Sequence, residues 1–436
     1  MRKLTGLLAG ALGLATLAAF ALVVVLLFGG LSRREAAPTV TPPLTPTRPA
    51  TPTVVPTRIT PPPLQTPTQP ASPLPTPTVP GSGLEDYIFG PPQVILTHTT
   101  AMGLVGWLPD SERLLVTRRV PTDTVREYIE TINVRTGEIQ HYAERHSSSA
   151  KPVWLPTPQA VAYGDIDLVE KEIKLRISAG LSGQGRQIGG LWSPNIAADS
   201  DGRRVVFFLK GAEKRPYFFH VSQAITQPLP FNLAALERPD EEEAARGRAT
   251  AYNIAWHPSQ PKVAFYNNYH LFLASLDTGQ VQEIDLGRRS TGEILWTFYA
   301  RWSPDGRYLA LLTTAGIPPV HFVDLAILDT TTGTLRRIDL NLRFPYVSEV
   351  AWAPNSRHLA IWAVITMQEG TDWAGLYLVD AVTAGMRRMM PETLFGSNNA
   401  TWTWNMDWSP NGNTIAVACP GAGQPRWCLI PVTVRQ

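Results

Sequence analysis

The sequence predicts an all-β fold, a seven-bladed propeller over residues 84–436, and three observations carry that reading. A tryptophan with proline two places on recurs seven times, at Trp107, Trp154, Trp192, Trp256, Trp302, Trp352 and Trp408. In six of these copies an apolar triplet begins seven places after the tryptophan. The tryptophans are 47, 38, 64, 46, 50 and 56 residues apart, and a period of about 40–50 residues holding four short strands marks a propeller. Two-residue alternation between turn residues excludes a helical solenoid.

Each part of the unit has a physical reason. In "WSPDGRYLAL" from Trp302, the tryptophan ends the innermost strand as a large apolar plate. Proline then presets φ and glycine tolerates φ > 0, which makes a tight turn. The apolar triplet has alanine at its centre in five copies (Ala162, Ala264, Ala310, Ala360, Ala416), as expected of a second strand packed on both faces between neighbouring sheets. Segments such as "LASLDTGQV" from Leu273 and "LAILDTTTGTL" from Leu325 supply a third strand and its turn, and "LRRIDL" from Leu335 an outer strand. The third copy carries six extra residues, so Asp201–Gly202 stands where Asp305–Gly306 stands in the fifth. The seventh copy lacks a separate fourth strand. The apolar stretch Gln93 to His98 is predicted to fill that place and latch the ring, leaving no long open sheet edge.

This pattern resembles the TolB-type, WD40-like β-propeller repeat, whose units read W-S-P-D-G, an apolar strand, then D-x-x-T-G. The resemblance spans nearly all of residues 84–436, is strong at Trp302 and Trp408, and is weakest in the second and third copies, whose third strands lack the T-G turn. It implies that partners are met on the rim opposite the Pro-Asp-Gly turns. Repeats of this type also accompany the catalytic domain of some serine peptidases, but no G-x-S-x-G elbow occurs in this chain.

Ahead of the repeats lie two segments of different character. After Arg2 and Lys3, residues 4–32 are uncharged, and Arg33 and Arg34 follow. As a helix, Leu7 to Phe28 would be about 33 Å long, matching a bilayer core of about 30 Å. Residues 1–34 are therefore expected to be an uncleaved signal anchor, with a transmembrane helix over about 4–31. A cleaved signal peptide is the competing reading; its apolar region is usually only about 7–15 residues long. Residues 35–83 are expected to be a disordered, extended linker: Pro38 to Pro80 holds 16 prolines, 12 threonines and no acid. Proline removes amide donors, so this composition suits a polyproline-II spacer holding a domain off a membrane. The propeller is then expected on the extracytoplasmic side, single-pass.

Composition narrows the chemistry. Residues 1–83 hold six basic residues and one acid, so the rest, with 32 basic and 35 acidic residues, is slightly acidic. That argues against nucleic-acid binding, which needs a clustered basic surface. Two cysteines exclude a cysteine zinc cluster; Cys419 and Cys428, at facing ends of two adjacent strands, are expected to form a disulfide. The eight histidines make no H-E-x-x-H pair, and Asp165/Asp167 and Asp199/Asp201 lack the remaining calcium ligands. No metal, cofactor or catalytic residue is assigned. The acidic run after Pro239 reads as a solvated insertion.

Two features stand outside the repeat. Immediately before the repeat tryptophan most copies carry Gly106, Val153, Leu191, Ala255 or Ala351, whereas the fifth carries Arg301 and the seventh Asp407. These charges either line the central channel or lie exposed at a rim. The second feature is aromatic crowding at Trp296, Tyr299, Trp373, Trp402 and Trp404, with polar neighbours Asp372, Asn398 and Asn399. Loops beginning at Thr313 and Ala363 are expected to hold a contact patch on the rim opposite the Pro-Asp-Gly turns, since such aromatics are enriched in recognition hot spots. The leading reading is a non-catalytic binding module for a protein, peptide or glycan. The alternatives are a lyase or hydrolase working at the channel mouth, and a structural envelope component.

Overall fold

The computed structural model describes residues 83–435 apart from connecting segments, chiefly 234–251, 288–295, 344–349 and 392–405. The expected anchor and linker, residues 1–82, lie outside the described residues, as does the acidic run after Pro239. Among the described residues no helix is long and apolar enough to cross a membrane.

Seven antiparallel sheets form the blades, each starting on the channel and stepping outwards. Blade one comprises Met102–Trp107, Arg113–Val120, Asp123–Asn133 and Ile139–His146. Blade two comprises Val153–Leu155, Ala160–Asp167, Glu172–Ser178 and Arg186–Leu191. Blade three comprises Ala197–Ala198, Arg204–Phe208, Pro216–His220 and Ile225–Pro228. Blade four is built from Asn253–Trp256, Lys262–Tyr266, Leu271–Ser275 and Val281–Glu283. Blade five follows with Trp296–Trp302, Tyr308–Ala315, Phe322–Asp329 and Thr334–Arg343. Blade six holds Val350–Trp352, His358–Thr366, Asp372–Asp380 and Met386–Pro391. Blade seven has Met406–Trp408, Thr414–Pro420 and the long Pro425–Val434.

The ring closes as expected, with one addition. Gln93–Thr97 pairs with Pro425–Val434, Gln93 opposite Leu429 and Thr97 opposite Arg426. A second short strand, Tyr87–Phe89, pairs with the other end of the same strand, Tyr87 opposite Val434. Blade seven's outer position is thus shared by two N-terminal strands in succession. Tyr87 also ties blade seven to blade six: its hydroxyl accepts from Asn355 Nδ2 at 2.7 Å, and its ring meets Trp408 edge-on at 5.9 Å.

The turn after the tryptophan repeats in detail. The amide of Leu108, Asp199, Ser303, Ala353 or Ser409 donates to the carbonyl of the residue five places on, at 2.8–3.0 Å. The left-handed position of this turn is glycine at Gly202, Gly306 and Gly412, but Ser111, Gln159 and Ser356 adopt it too, at φ 49–59°. Geometry is therefore kept where the glycine is not. At the third-to-outer turn Ala224 likewise replaces glycine in blade three (φ 57°). Blade two has its matching turn elsewhere, between second and third strands, with Lys171 left-handed and Asp167 Oδ1 accepting the amides of Val169 and Glu170. Of the aspartates considered as calcium ligands, Asp167 and Asp199 thus serve turns, Asp199 Oδ1 accepting the amides of Arg203 and Arg204, while Asp165 pairs with Arg176 at 2.9 Å and accepts the His146 amide.

One expectation is corrected. The third tryptophan was expected to end an inner strand, yet Leu191 closes blade two's outer strand and Trp192 follows it directly. Trp192 N–H donates to Phe208 O, the chain leaves the ladder, and Ala197 rejoins it opposite Val206. The extra residues form this excursion, which cuts the inner strand to two residues.

The core lies between blades. The five central alanines are all essentially inaccessible, so the small side chain is what lets adjacent sheets approach. The repeat tryptophan completes the contact. Trp302 Nε1 donates to Ala255 O, Trp352 Nε1 to Arg301 O and Trp107 Nε1 to Asp407 O, at 3.0–3.1 Å. In each case the acceptor is the residue just before the preceding blade's own tryptophan. Trp408 departs from this rule and donates to Gly412 O in its own turn.

Candidate functional site

The inner strands surround a cavity of about 800 Å³ along the propeller axis. Its layers follow from strand direction, since every inner strand runs towards its Pro-Asp-Gly turn. At the far rim stand Lys151, Asn253, Phe298 and Tyr299; at the turn rim stand the tryptophans with Pro258, Pro304, Pro354 and Pro410. Between them is the ring of residues preceding the tryptophans, including Gly106, Ala255, Arg301 and Asp407.

Arg301 and Asp407 line this channel and form an ion pair two blades apart. Blade six lies between them, and its ring residue is the buried Ala351. Arg301 Nη1 donates to Val350 O of blade six at 3.0 Å, and Tyr299 Oη donates to the same carbonyl at 3.3 Å. Asp407 Oδ2 in turn accepts the backbone N–H of Trp107, in blade one, at 2.7 Å. Four blades, five through one, are therefore joined across the seam where the ring closes. Gly106 makes room for this, because a Cβ there would stand 2.8 Å from Asp407 Oδ2. The need for glycine was not read from the sequence; its signal is the smallness of Gly106 and Ala351 in the ring beside the two charges.

Of the other residues singled out from the sequence, the described ones lie nearer the far rim. Trp296 opens blade five's inner strand, opposite Thr314. Asp372 and Trp373 were expected in a loop, but they begin blade six's third strand, opposite Thr366 and Ile365. The β-branched run Val364-Ile365-Thr366 and the tryptophan both favour a ladder, and the hairpin extends accordingly. Blade five's hairpin similarly runs to Ala315 and resumes at Phe322, so the loop from Thr313 is shorter than expected. Trp402, Trp404, Asn398 and Asn399 lie outside the described residues. Arg301 and Asp407 sit a layer deeper than the rim aromatics, in the channel itself.

Cys428 is buried and disulfide-bonded, and Cys419 is the chain's other cysteine. The two are not directly opposed: Cys428 faces Val417 and Cys419 faces Arg426, so they form a diagonal pair.

Outside the channel, titratable groups serve packing. His141 Nδ1 lies 3.6 Å from the buried Glu130, whose carboxylate is held by both donors of the Arg118 fork. His358 has no exposure, and burial pulls its pKa down to about 4; Asn355 Nδ2 and Tyr87 Oη lie 3.0 and 3.2 Å from its Nδ1. His257 is also lowered to about 4, by burial and then by Lys262, while its Nδ1 accepts the amides of Ser259 and Gln260. Among the described residues no three His, Cys, Asp or Glu side chains are grouped to hold a metal ion.

Neither a family model nor a curated protein matches this chain. Solved structures do match in fold. An oligogalacturonate lyase from Vibrio parahaemolyticus superposes with a TM-score of 0.55 at 11% identity, covering 79% of this chain and 96% of its own. An oligogalacturonate lyase in complex with manganese gives 0.50 at 12% identity, covering 79% and 97%. The β-propeller domain of Myceliophteria thermophila Cps50 (Swd1) gives 0.50 at 12% identity, covering 78% and 99%. An enzyme and a propeller domain of another kind thus share this architecture. At such identities the likeness shows the seven-bladed fold alone.

Proposed function

We propose that this chain is a membrane-anchored, extracytoplasmic propeller of TolB-type, WD40-like character that binds a peptide or glycan without transforming it. The observation that carries the reading is the channel. Its far-rim mouth presents Phe298 and Tyr299 with Asn253 and Lys151, and its deeper wall holds an ion pair whose two charges offset each other. Aromatic faces beside amide and hydroxyl groups suit a ligand held by stacking and neutral hydrogen bonds. A hydrolase or lyase needs an acid or base at the reacting atom; here Arg301 and Asp407 spend their polar atoms on each other and on backbone groups of blades six, seven and one.

The apolar N-terminal stretch and the proline-rich stretch after it support the location. The test is capture on peptide and glycan arrays with the detergent-solubilised chain, followed by analysis of the recovered ligand. Phe298→Ala and Lys151→Ala, at the far-rim mouth, should each weaken capture, the first about thirtyfold, or about 2 kcal/mol. Normal binding by both, or a ligand recovered cleaved, would overturn the reading.

A further inference from the structure

The strand Tyr87–Phe89 is held to the propeller by a contact that tolerates only one protonation state. Tyr87 pairs with Val434 and Phe89 with Val432, and Gly90 N–H donates to Pro431 O at 2.8 Å. Pro91 and Pro92 follow and have no amide to donate, so this strand and Gln93–Thr97 are separate attachments to Pro425–Val434. The first attachment is three residues long. Its inward grip is the buried Tyr87, lodged against His358 and Trp408.

His358 opens blade six's second strand and has no exposure. The same position, six places after the repeat tryptophan, is Arg113, Ala160, Lys262, Tyr308 or Thr414 in other blades. The histidine therefore answers to its neighbour Tyr87 and not to the repeat. Asn355 fixes the state of its imidazole. Asn355 Oδ1 accepts the amides of Arg357 and His358, at 3.1 and 3.2 Å. Its Nδ2 is thereby turned to Tyr87 Oη, at 2.7 Å, and to His358 Nδ1, at 3.0 Å. Tyr87 Oη lies 3.2 Å from the same Nδ1 and donates to it. With donors on that side Nδ1 must be a bare acceptor, and the imidazole proton sits on Nε2.

Nε2 has no hydrogen-bond partner among the described residues. Asp380 Oδ2 is 3.8 Å from it, beyond hydrogen-bond reach, and is held by two donors of Arg357. The charged groups about the imidazole are thus Asp380 and Arg357 of blade six, with Asp86 just ahead of Tyr87. Burial, aided by Arg357, outweighs the two carboxylates and holds the pKa at about 4. A proton added to Nδ1 would turn an N–H against the Asn355 amide group and remove the acceptor of Tyr87. It would also leave a charge where the side chain has no exposure.

We propose that protonation of His358 releases the strand Tyr87–Phe89 from the propeller while Gln93–Thr97 keeps the seventh blade closed. What acid frees is the junction between residues 1–82 and the ring, baring the Trp408 face and the Val432–Val434 edge. This inference does not rest on the ligand reading above.

Hydrogen exchange of the full, detergent-solubilised chain, followed by mass spectrometry and corrected for the intrinsic effect of pH, tests it. With a pKa of 6.5 when released against about 4 when lodged, the open fraction rises about thirtyfold from pH 7.5 to pH 5.0. Amides of residues 87–90 should therefore lose at least about tenfold of their protection over that interval, while residues 94–97 and 309–312 keep theirs. In His358→Gln, whose carboxamide gains no proton, the loss at residues 87–90 should be absent. In Tyr87→Phe, protection there should already be low at pH 7.5 and change less than about threefold on acidification. Unchanged protection of residues 87–90 in the natural chain, or an equal loss in His358→Gln, overturns the proposal. So does a loss shared with residues 94–97 and 309–312, which would be unfolding of the whole ring. Should His358→Gln fail to fold, Tyr87→Phe decides alone, and an acid loss as large as the natural chain's overturns the proposal.

Discussion

Removing the Asp407 carboxylate should unfasten the seam where the ring closes. In Asp407→Ala three groups lose their acceptor: the Arg301 guanidinium, the Trp107 amide at 2.7 Å and the Trp408 amide at 3.1 Å. Breaking a buried pair from one side costs about 3–5 kcal/mol, because the remaining charge stays desolvated. Arg301 is 33% exposed, so water reaches it, and it keeps its bond to Val350 O; both place the cost at the low end. The stranded Trp107 amide adds about 1 kcal/mol. The expected loss is therefore about 3–4 kcal/mol. Arg301→Met keeps the side-chain stem and leaves Asp407 with two amide donors, so it should cost only about 1–2 kcal/mol. Urea unfolding of both single variants and the double variant completes the cycle, and the double should fall short of the sum by about 1.5 kcal/mol. Additivity within about 0.3 kcal/mol would mean that the two charges do not interact, and the seam argument would fail. Gly106→Ala is the internal control. Its methyl would stand 2.8 Å from Asp407 Oδ2, so it should cost stability in the natural chain and clearly less when Asp407 is alanine, where only the backbone strain at a φ of 158° remains.

Other expectations follow from single contacts. At Gly306, φ is 75° and a Cβ would fall on the His257 ring, whereas at Gly412 the nearest atom, Pro354 Cγ, is 3.6 Å away. Gly412→Ala should therefore cost only the left-handed strain of about 1 kcal/mol, and Gly306→Ala at least about twice that; equal costs on thermal unfolding would contradict the packing argument. Acid should destabilise the fold in a defined window. His257 and His358 have folded pKa values of about 4 against 6.5 unfolded, so the unfolded chain binds more protons between these values. Their contribution is complete above pH 6.5 and is lost as pH falls towards 4, by up to about 3 kcal/mol each. His358→Gln should remove roughly half of that slope in urea midpoints measured from pH 7.5 to 4.5, and a midpoint flat across the window would refute the assignment. Thiol titration of the unfolded, unreduced chain should find no free thiol at Cys419 or Cys428; two titrating thiols would exclude the bridge.

The fold was legible because each blade faces the same packing problem and solves it with the same residues. A tryptophan that must hydrogen-bond to the preceding blade, as Trp302 does to Ala255 O, is written again at Trp352 and Trp107. Repetition also hid some things. Ser111, Gln159 and Ser356 hold a left-handed turn without glycine, and no residue preference announces that beforehand. Trp373 was misplaced into a loop because a long second-to-third connection and an extended hairpin look alike until register is known. The pairing of Arg301 with Asp407 was out of reach for a different reason. The residues stand 106 positions apart, and only closure of the ring brings them together.

What the sequence did show is where the repeat fails. Along the ring before the tryptophans, Gly106, Val153, Ala255 and Ala351 are small or apolar, as a surface packed around a narrow axis requires. A strand end with the same backbone, the same tryptophan and the same neighbours has no structural use for a charge in one blade and not in the next. The two exceptions, Arg301 and Asp407, therefore had to be explained by something that does not repeat, either the closure of the ring or a ligand on its axis. The structure supplies the first: a guanidinium reaching past Ala351 to a carboxylate that Gly106 accommodates. The same geometry leaves Arg301 one-third exposed to the channel. A device needed only for closure gains nothing from that exposure, and it is this remaining accessibility that directs the search for a ligand to the axis.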